Sequence, residues 1–343
     1  MATIATVCVM CLLVIGGEIA FRAYHAIAHM KSRTTPAKKR PNALSFNDEL
    51  GWVPTGNYKL IKTKTDASGH RYAVNFQTNE DGFRIFGNPE EEHKKKVWFL
   101  GDSFTYAKVV SNNKTYYGRL KDTLPIEVFA FGCSGYGTLQ EYMILDKYLD
   151  DIRPDIIIVQ FCSNDFINNS YELELRSNRN NNGMRRPYFI NNEIIYRLPK
   201  HFPRMRGLVN TYSQFLYFIL HRIDRLHARS PRSVEDLIAA NASYPFFRES
   251  VEITDHIVKK MMLRIHPTTL VYAFSVDDSA PYYDEFKNIS ARNGIYFIDD
   301  IPQAIYDAER QGITTRAADK AHWNEAGHQI AATALQSYLE APR

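Results

Sequence analysis

The sequence predicts an α/β fold, a parallel sheet covered by helices on both faces and preceded by a short β-rich lead-in. Three observations predict it. From Lys96 onward, short apolar runs recur without an alternating polar residue, the pattern of parallel strands buried on both sides. Stretches of helical period separate those runs, and strands that alternate with helices assemble into parallel sheets through crossover connections. Before Lys96 the pattern is different: apolar and polar residues alternate between Gly- and Asn-containing turns, as in small antiparallel pairs.

Ala2 to Gly17 carries no charge, and after the lone Glu18 the apolar character resumes at Ile19-Ala20-Phe21. That is about 20 residues, toward the lower end of what a bilayer requires. A cleaved leader is the alternative, but Glu18 spoils the small-x-small site ending at Ala20, and Ala26-Ile27-Ala28 lies beyond the apolar run. A retained membrane anchor over residues 1–30 is therefore expected. Arg22, Lys31, Arg33, Lys38, Lys39 and Arg40 follow the run and nothing basic precedes it, so the positive-inside rule, read strictly, keeps the body cytoplasmic. Residues 31–43 have linker composition, with two prolines and no apolar period. The folded body is expected over 44–343, its lead-in spanning 44–95.

Strands are expected at Val97–Leu100, Ile126–Phe131, Ile156–Phe161, Leu270–Phe274 and Ile295–Ile298, each a two-sided apolar run. Helices are expected at Tyr116–Leu124, Leu139–Leu149, Ser250–Ile265, Tyr282–Ala291 and Asn324–Leu339, the last with Asn324 as N-cap and Glu325 in its first turn. Residues 166–235 interrupt this rhythm and read as a long insertion. Ser170 to Glu235 holds twelve Arg and Lys against five Asp and Glu, a local excess of seven in a chain whose net charge is +4. Within it Leu208, Tyr212, Phe215, Leu216, Ile219, Ile223 and Leu226 follow a helical period, with Arg222, Arg225 and Arg229 on the other side. A packed helix with a solvated basic face is the plain reading; a surface for anionic lipid or polysaccharide is the other.

The chemistry concentrates at strand ends. Trp98-Phe99-Leu100-Gly101-Asp102-Ser103 carries a buried strand directly into Gly-Asp-Ser. Ligands of a doubly wound sheet sit outside the carboxyl ends of its strands, which makes Ser103 a candidate nucleophile. By itself the tripeptide is explained as well by Asp102 and Ser103 capping a helix. A serine hydroxyl is a weak nucleophile at neutral pH; it needs a base within reach and a group that fixes the base's tautomer. Asp319-Lys320-Ala321-His322 can supply both from one tight turn, with Gly327 and His328 read as packing residues of the helix beyond. Gly132-Cys133-Ser134-Gly135 and Cys162-Ser163-Asn164-Asp165 follow two further strands. The backbone N–H groups of Ser103 and Gly135 and the side-chain amide of Asn164 are the candidate oxyanion hole.

These four segments resemble the consensus blocks of the SGNH (GDSL-type) hydrolases. Gly101-Asp102-Ser103-Phe104 looks like the nucleophile block, Gly135 the glycine block, Asn164 the asparagine block and Asp319-x-x-His322 the last block. Glu49-Leu50-Gly51-Trp52 and Asn79-Glu80-Asp81-Gly82-Phe83-Arg84 are similar to lead-in phrases of bacterial membrane-associated members. The resemblance implies a flavodoxin-like three-layer α/β/α sandwich with a five-stranded parallel sheet, and a serine esterase or acyltransferase that uses no metal or cofactor. It also implies a body outside the cytoplasm, periplasmic or extracellular, against the charge rule. Ala130, Phe104 and Cys162 depart from the family's usual residues. In the family's strand order the strands before Cys133 and Cys162 flank the nucleophile strand, so the two thiols are not expected to pair.

Composition excludes other classes. With 45% hydrophobic and 13% aromatic residues and only 17 Gly and 15 Pro, the chain is not disordered or collagen-like. A net charge of +4 from 42 basic and 38 acidic residues gives no reason to expect nucleic acid. Four cysteines in 343 residues are too sparse for a disulfide scaffold, and the one Cys-x-x-Cys pair, Cys8-Val9-Met10-Cys11, lies inside the apolar N-terminal run with no second pair to complete a zinc site. His25 and His29 have metal-compatible spacing but no acidic or cysteine partners nearby, and Asp277-Asp278 and Asp299-Asp300 read as turn caps. The expected protein is a membrane-anchored hydrolase of ester-linked acyl groups on lipid or glycan, with Ser103 attacking, His322 moving the proton and Asp319 orienting it. Acyl transfer to a cell-surface polysaccharide, and a non-catalytic carbohydrate- or partner-binding module on the same scaffold, are the alternatives.

Overall fold

The computed structural model of the chain describes residues 2–32, 42–200, 203–227 and 233–340. Helix α1 (Ala2–Ser32) contains Cys8–Ile27, a 20-residue stretch long and apolar enough to cross a membrane by length and composition. The expected linker over 31–43 lies, from 33 to 41, outside the described residues. Two antiparallel hairpins follow, β1 (Leu44–Asn47) with β2 (Gly51–Pro54) and β3 (Lys59–Thr65) with β4 (Arg71–Gln77). The lead-in is thus β-rich, as its alternation requires.

The body then runs β5 (Lys95–Gly101), α2 (Ser103–Tyr106), α3 (Tyr116–Thr123), β6 (Ile126–Gly132), α4 (Thr138–Ile152) and β7 (Ile156–Phe161). Helices α5 (Asn164–Asn169) and α6 (Tyr171–Arg176), the hairpin β8 (Arg186–Ile190) and β9 (Glu193–Arg197), and helices α7 (Pro203–Tyr212), α8 (Gln214–His227) and α9 (Val234–Ala240) come next. The chain closes with α10 (Pro245–Arg264), β10 (Leu270–Ser275), α11 (Tyr282–Arg292), β11 (Tyr296–Ile298), α12 (Asp300–Arg310) and α13 (Glu325–Glu340). Five parallel strands stand in the order β11-β10-β7-β5-β6.

Strands with apolar side chains at every position must be covered twice. Trp98 and Leu100 of β5 join Phe129, Phe131, Ile157 and Val159 under α4, α10 and α11, through Ile144, Leu145, Val258 and Phe286. Val97 and Phe99 face the other way, with Val128, Ile158 and Phe274, under α3, α12 and α13 through Leu120, Ile305 and Leu335. Each such side chain taken fully out of water contributes roughly 1.5–3 kcal/mol. The result is the three-layer α/β/α architecture that the sequence implied.

One element differs from expectation. No helix was expected at Asp300, yet α12 begins there because Ile301, Ile305 and Ala308 recur at helical spacing and Pro302 suits a first turn. The segment 166–235, read as a long insertion, reaches the core at both ends. Phe166, Ile167 and Leu173 at its start and Val234 at its end lie in the same buried cluster as Trp98. Its basic excess is partly used inside: buried Arg186 pairs with buried Glu174.

Helix α8 packs on α1. Phe215 is seated on Gly17, and the rings of Phe21 and Phe218 are 5.2 Å apart. Glu18, the lone charge in the apolar run, caps α8: its carboxylate accepts from Ser213 Oγ at 2.8 Å, Phe215 N–H at 2.9 Å and Gln214 N–H at 3.1 Å. Beyond that seam Leu208, Tyr212, Ile223 and Leu226 stay exposed. Arg222 lies over the Phe218 ring, 5.1 Å from its centre, and Arg229 is outside the described residues.

Candidate active site

Strand β5 delivers Ser103 to the carboxyl end of the sheet, between the ends of β6 and β7. Close approach sets the turn. Gly132 is the register partner of Gly101, and a Cβ on it would collide with the backbone nitrogen of Tyr106, so only glycine lets α2 lie against β6. Asp102 caps α2, its Oδ1 accepting from Phe104 N–H at 3.0 Å. Gln160 of β7 holds the turn from the side. Its Oε1 accepts from Asp102 N–H at 3.2 Å, Thr105 N–H at 3.1 Å and Thr105 Oγ at 2.9 Å. Buried Arg84 clamps the far end of α2, donating to the carbonyls of Tyr106, Ala107 and Val110.

The base arrives from a loop fastened to the lead-in. Ala317 N–H donates to His322 C=O at 2.8 Å and closes a tight turn, while Ala318 N–H donates to Thr65 C=O at the end of β3. Lys320 adopts φ +61 inside that turn. The Asp319 carboxylate accepts from Ala321 N–H and His322 N–H at 3.0 Å each, and its Oδ2 is 2.8 Å from His322 Nδ1. A carboxylate only accepts, so Nδ1 carries the proton and Nε2 is left as acceptor for the Ser103 hydroxyl, 2.8 Å away. The His322 ring leans on Phe104 with centroids 5.1 Å apart, and Phe104 in turn meets buried Trp323.

Charge is tuned around this relay. Burial pushes the Asp319 carboxyl up, but the hydrogen bonds from the His322 side chain and from Ala321 and His322 N–H outweigh it and hold the carboxyl below its ordinary value. Asp102 is fully buried, and burial pushes its carboxyl up against the opposing Phe104 N–H bond. Burial also raises the thiols of Cys133 and Cys162, which are both free and follow strands on opposite sides of β5. His328 accepts from Tyr116 N–H and stacks on that ring; burial lowers its imidazole to about 3, so it stays neutral.

Gly135 sits at φ +78 after β6, its carbonyl held by Arg186 at 2.8 Å and by Asn182 at 3.3 Å. Among the described residues, the backbone N–H groups of Ser103 and Gly135 have no protein acceptor. Asn164 opens α5 after β7, and its amide donates to Asn168 Oδ1 at 3.1 Å. Three donors therefore stand at the ends of three adjacent strands. Asn164→Ala is expected to lower ester turnover roughly 10²-fold with an unchanged circular dichroism spectrum; turnover equal to the parent's would remove Asn164 from the site.

The other candidates resolve differently. His25 meets Phe21, with ring centroids 4.5 Å apart, while the side chain of His29 is outside the described residues. Among the described residues no group of three or more His, Cys, Asp or Glu gathers around a metal-sized space. Asp277 Oδ1 caps a turn through Ser279 N–H, and Asp299 pairs with Lys287 at 2.7 Å. Sequence reasoning missed Gln160, hidden inside an apolar run, and Arg84, whose only signal was its place at the end of Asn79-Glu80-Asp81-Gly82-Phe83-Arg84.

Residues 99–330 match the family model described as GDSL-like Lipase/Acylhydrolase family. No curated protein sequence matches the chain. Similar solved structures include an alpha/beta hydrolase enzyme from the metagenome of Lake Arreo, Spain. It shows 14% identity and a TM-score of 0.39, over 71% of this chain and 94% of that one. An acetylxylan esterase from Geobacillus stearothermophilus shows 12% identity and a TM-score of 0.37, over 72% of this chain and 95% of that one. A Clostridium thermocellum family 3 carbohydrate esterase shows 13% identity and a TM-score of 0.39, over 71% and 94%.

Proposed function

Because this chain belongs to the GDSL-like lipase/acylhydrolase family, we propose that it hydrolyses ester-linked acyl groups through an acyl-enzyme on Ser103. The observation that carries this reading is the continuous relay from Ser103 Oγ through His322 to Asp319, 2.8 Å at each step. His322 Nε2 takes the hydroxyl proton as Oγ bonds to the ester carbonyl carbon. The carbonyl oxygen, now an anion, is held by the N–H groups of Ser103 and Gly135 and the amide of Asn164. The intermediate collapses by breaking the ester C–O bond, and His322 returns the proton to the departing alcohol. Water then repeats the sequence on the acyl-enzyme and frees the acid.

The test is labelling by a fluorophosphonate, which reacts with activated serines. One equivalent is expected on the full-length protein and none on Ser103→Ala; an unlabelled parent would show that Ser103 is not activated. Adding an acylated sugar and a second, unacylated one then separates release of free acid from transfer.

The same reading keeps α1 as a retained anchor with the catalytic body outside the cytoplasm. Glu18 supports retention. A leader removed from the chain would strip the first turn of α8 of an acceptor that takes three hydrogen bonds.

A further inference from the structure

Beside the relay runs a cleft of about 610 Å³ that the chemistry above does not use. One wall is β3, with Lys62, Thr63, Lys64 and Thr65, joined by Arg71 from β4; the other is Ala317, Ala318 and Asp319, and Val109 closes an end. The two walls are stitched by the Ala318 N–H to Thr65 C=O bond, so the cleft keeps a fixed place relative to His322. Its position also follows from the nucleophile, since Lys108 and Val109 come directly after the turn that ends α2.

Its charge is unbalanced. Lys62, Lys64 and Lys108 and Arg71 form no ion pair among the described residues, whereas eleven other Arg and Lys do. Burial lowers the Lys64 ammonium, and the like charges of Lys62 and Lys108 lower it further, while the Asp319 carboxylate opposes them. Three lysines and an arginine against one carboxylate leave an excess of positive charge, which costs free energy in the empty protein and which an anion in the cleft would relieve. The β3 wall is lysine and threonine in alternation, with Arg71 beside it, and these donors suit charged and hydroxylated groups; Val109, Ala317 and Ala318 are the apolar part of the lining. Lys62 and Lys64 share one face of the strand, so the cations are spread along a line about 7 Å long and do not meet at a point.

We propose that this cleft is a subsite for the alcohol portion of the substrate, and that this alcohol is a glycan carrying recurring anionic groups. The proposal rests on the esterase reading and names its substrate class. An ester whose carbonyl lies at Ser103 would extend its sugar along β3, where carboxylates or phosphates on the chain meet Lys62, Lys64 and Arg71, with the Lys108 charge adding to the field at Lys64.

Two measurements keep this separate from the esterase reading. In the first, catalysis is removed: Ser103→Ala protein is titrated with oligogalacturonate, with a phosphorylated oligosaccharide and with neutral xylo-oligosaccharide of equal length. The anionic chains are expected to bind roughly 10-fold or more tightly than the neutral one, the difference shrinking in high salt. The better of the two anionic chains identifies the acid. In the second, kcat and KM are compared for an O-acetylated methyl glucuronide and its O-acetylated methyl glucoside. The parent is expected to favour the glucuronide through KM. Lys62→Gln, Lys64→Gln and Lys108→Gln combined should erase that preference, the loss falling on KM for the glucuronide, and the corresponding Arg variants should restore it. Equal binding of charged and neutral chains by Ser103→Ala protein would overturn the subsite even with a fully active esterase. So would a preference that survives the triple substitution, or binding of anionic lipid vesicles in place of any oligosaccharide.

Discussion

His322→Ala is expected to lower turnover of a short acyl ester roughly 10⁴- to 10⁶-fold at neutral pH. The expectation follows from position. Among the described residues, Ser103 Oγ has two polar side-chain neighbours in reach, His322 Nε2 at 2.8 Å and Asp102 Oδ2 at 3.4 Å. Asp102 is no substitute base: it already accepts from Phe104 N–H, and burial favours its neutral form. What would survive is the stabilisation offered by the proposed oxyanion donors, which does not ionise the hydroxyl. The variant should keep its fold, because His322 is partly exposed and the turn closes through backbone bonds. Steady-state rates on purified protein decide it, and a variant as active as the parent would place the working base elsewhere.

Asp319→Asn should cost less, roughly 10²- to 10⁴-fold, and its deficit should narrow as pH rises. An asparagine amide can donate to Nδ1, which would force the proton to Nε2 and leave nothing to accept from Ser103. The side chain of Asp319 is 46% exposed, so water can stand in for part of its support. Higher pH recovers rate because hydroxide ionises the serine without help from the imidazole. The sign for the parent is fixed by the lowered carboxyl: its contribution to holding the loop is complete above the ordinary aspartate range and is lost as pH falls through the lowered value. Combining Asp319→Asn with His322→Ala should add almost nothing to His322→Ala alone, since the two act as one unit. A pH–rate series on the three variants makes both comparisons.

The candidate site residues were legible because each stands where a buried strand stops. Val97 to Leu100 ends at Gly101-Asp102-Ser103, Ile126 to Phe131 at the Gly135 turn and Ile156 to Phe161 at Asn164. A strand end is a pattern that survives without knowledge of the neighbours. The residues that hold those turns were not legible, because their function lies in contacts far along the chain. Gln160 reads as a flaw in an apolar strand until Asp102 and Thr105 are seen donating to it, 58 and 55 residues away. Arg84 reads as a turn residue until its guanidinium is found buried among the carbonyls that follow α2. Glu18 reads as a blemish in an anchor, and becomes a cap only when α8 lies beside it. Local periodicity reports which face is buried; it carries no information on which distant backbone group needs a partner.

Ser103 and His322 stand 219 residues apart in the chain. At the usual pace of synthesis, roughly 5–20 residues per second, the serine therefore precedes its base by roughly 10 to 45 s. Strands β5, β6 and β7 can already have paired in that interval, and the nascent chain then carries a finished strand end with an inert hydroxyl. On the proposed mechanism, reactivity toward esters begins only when the Asp319–His322 turn has been made and has seated itself against Thr65 and Phe104. The proposed nucleophile is thus silent while the chain is being made.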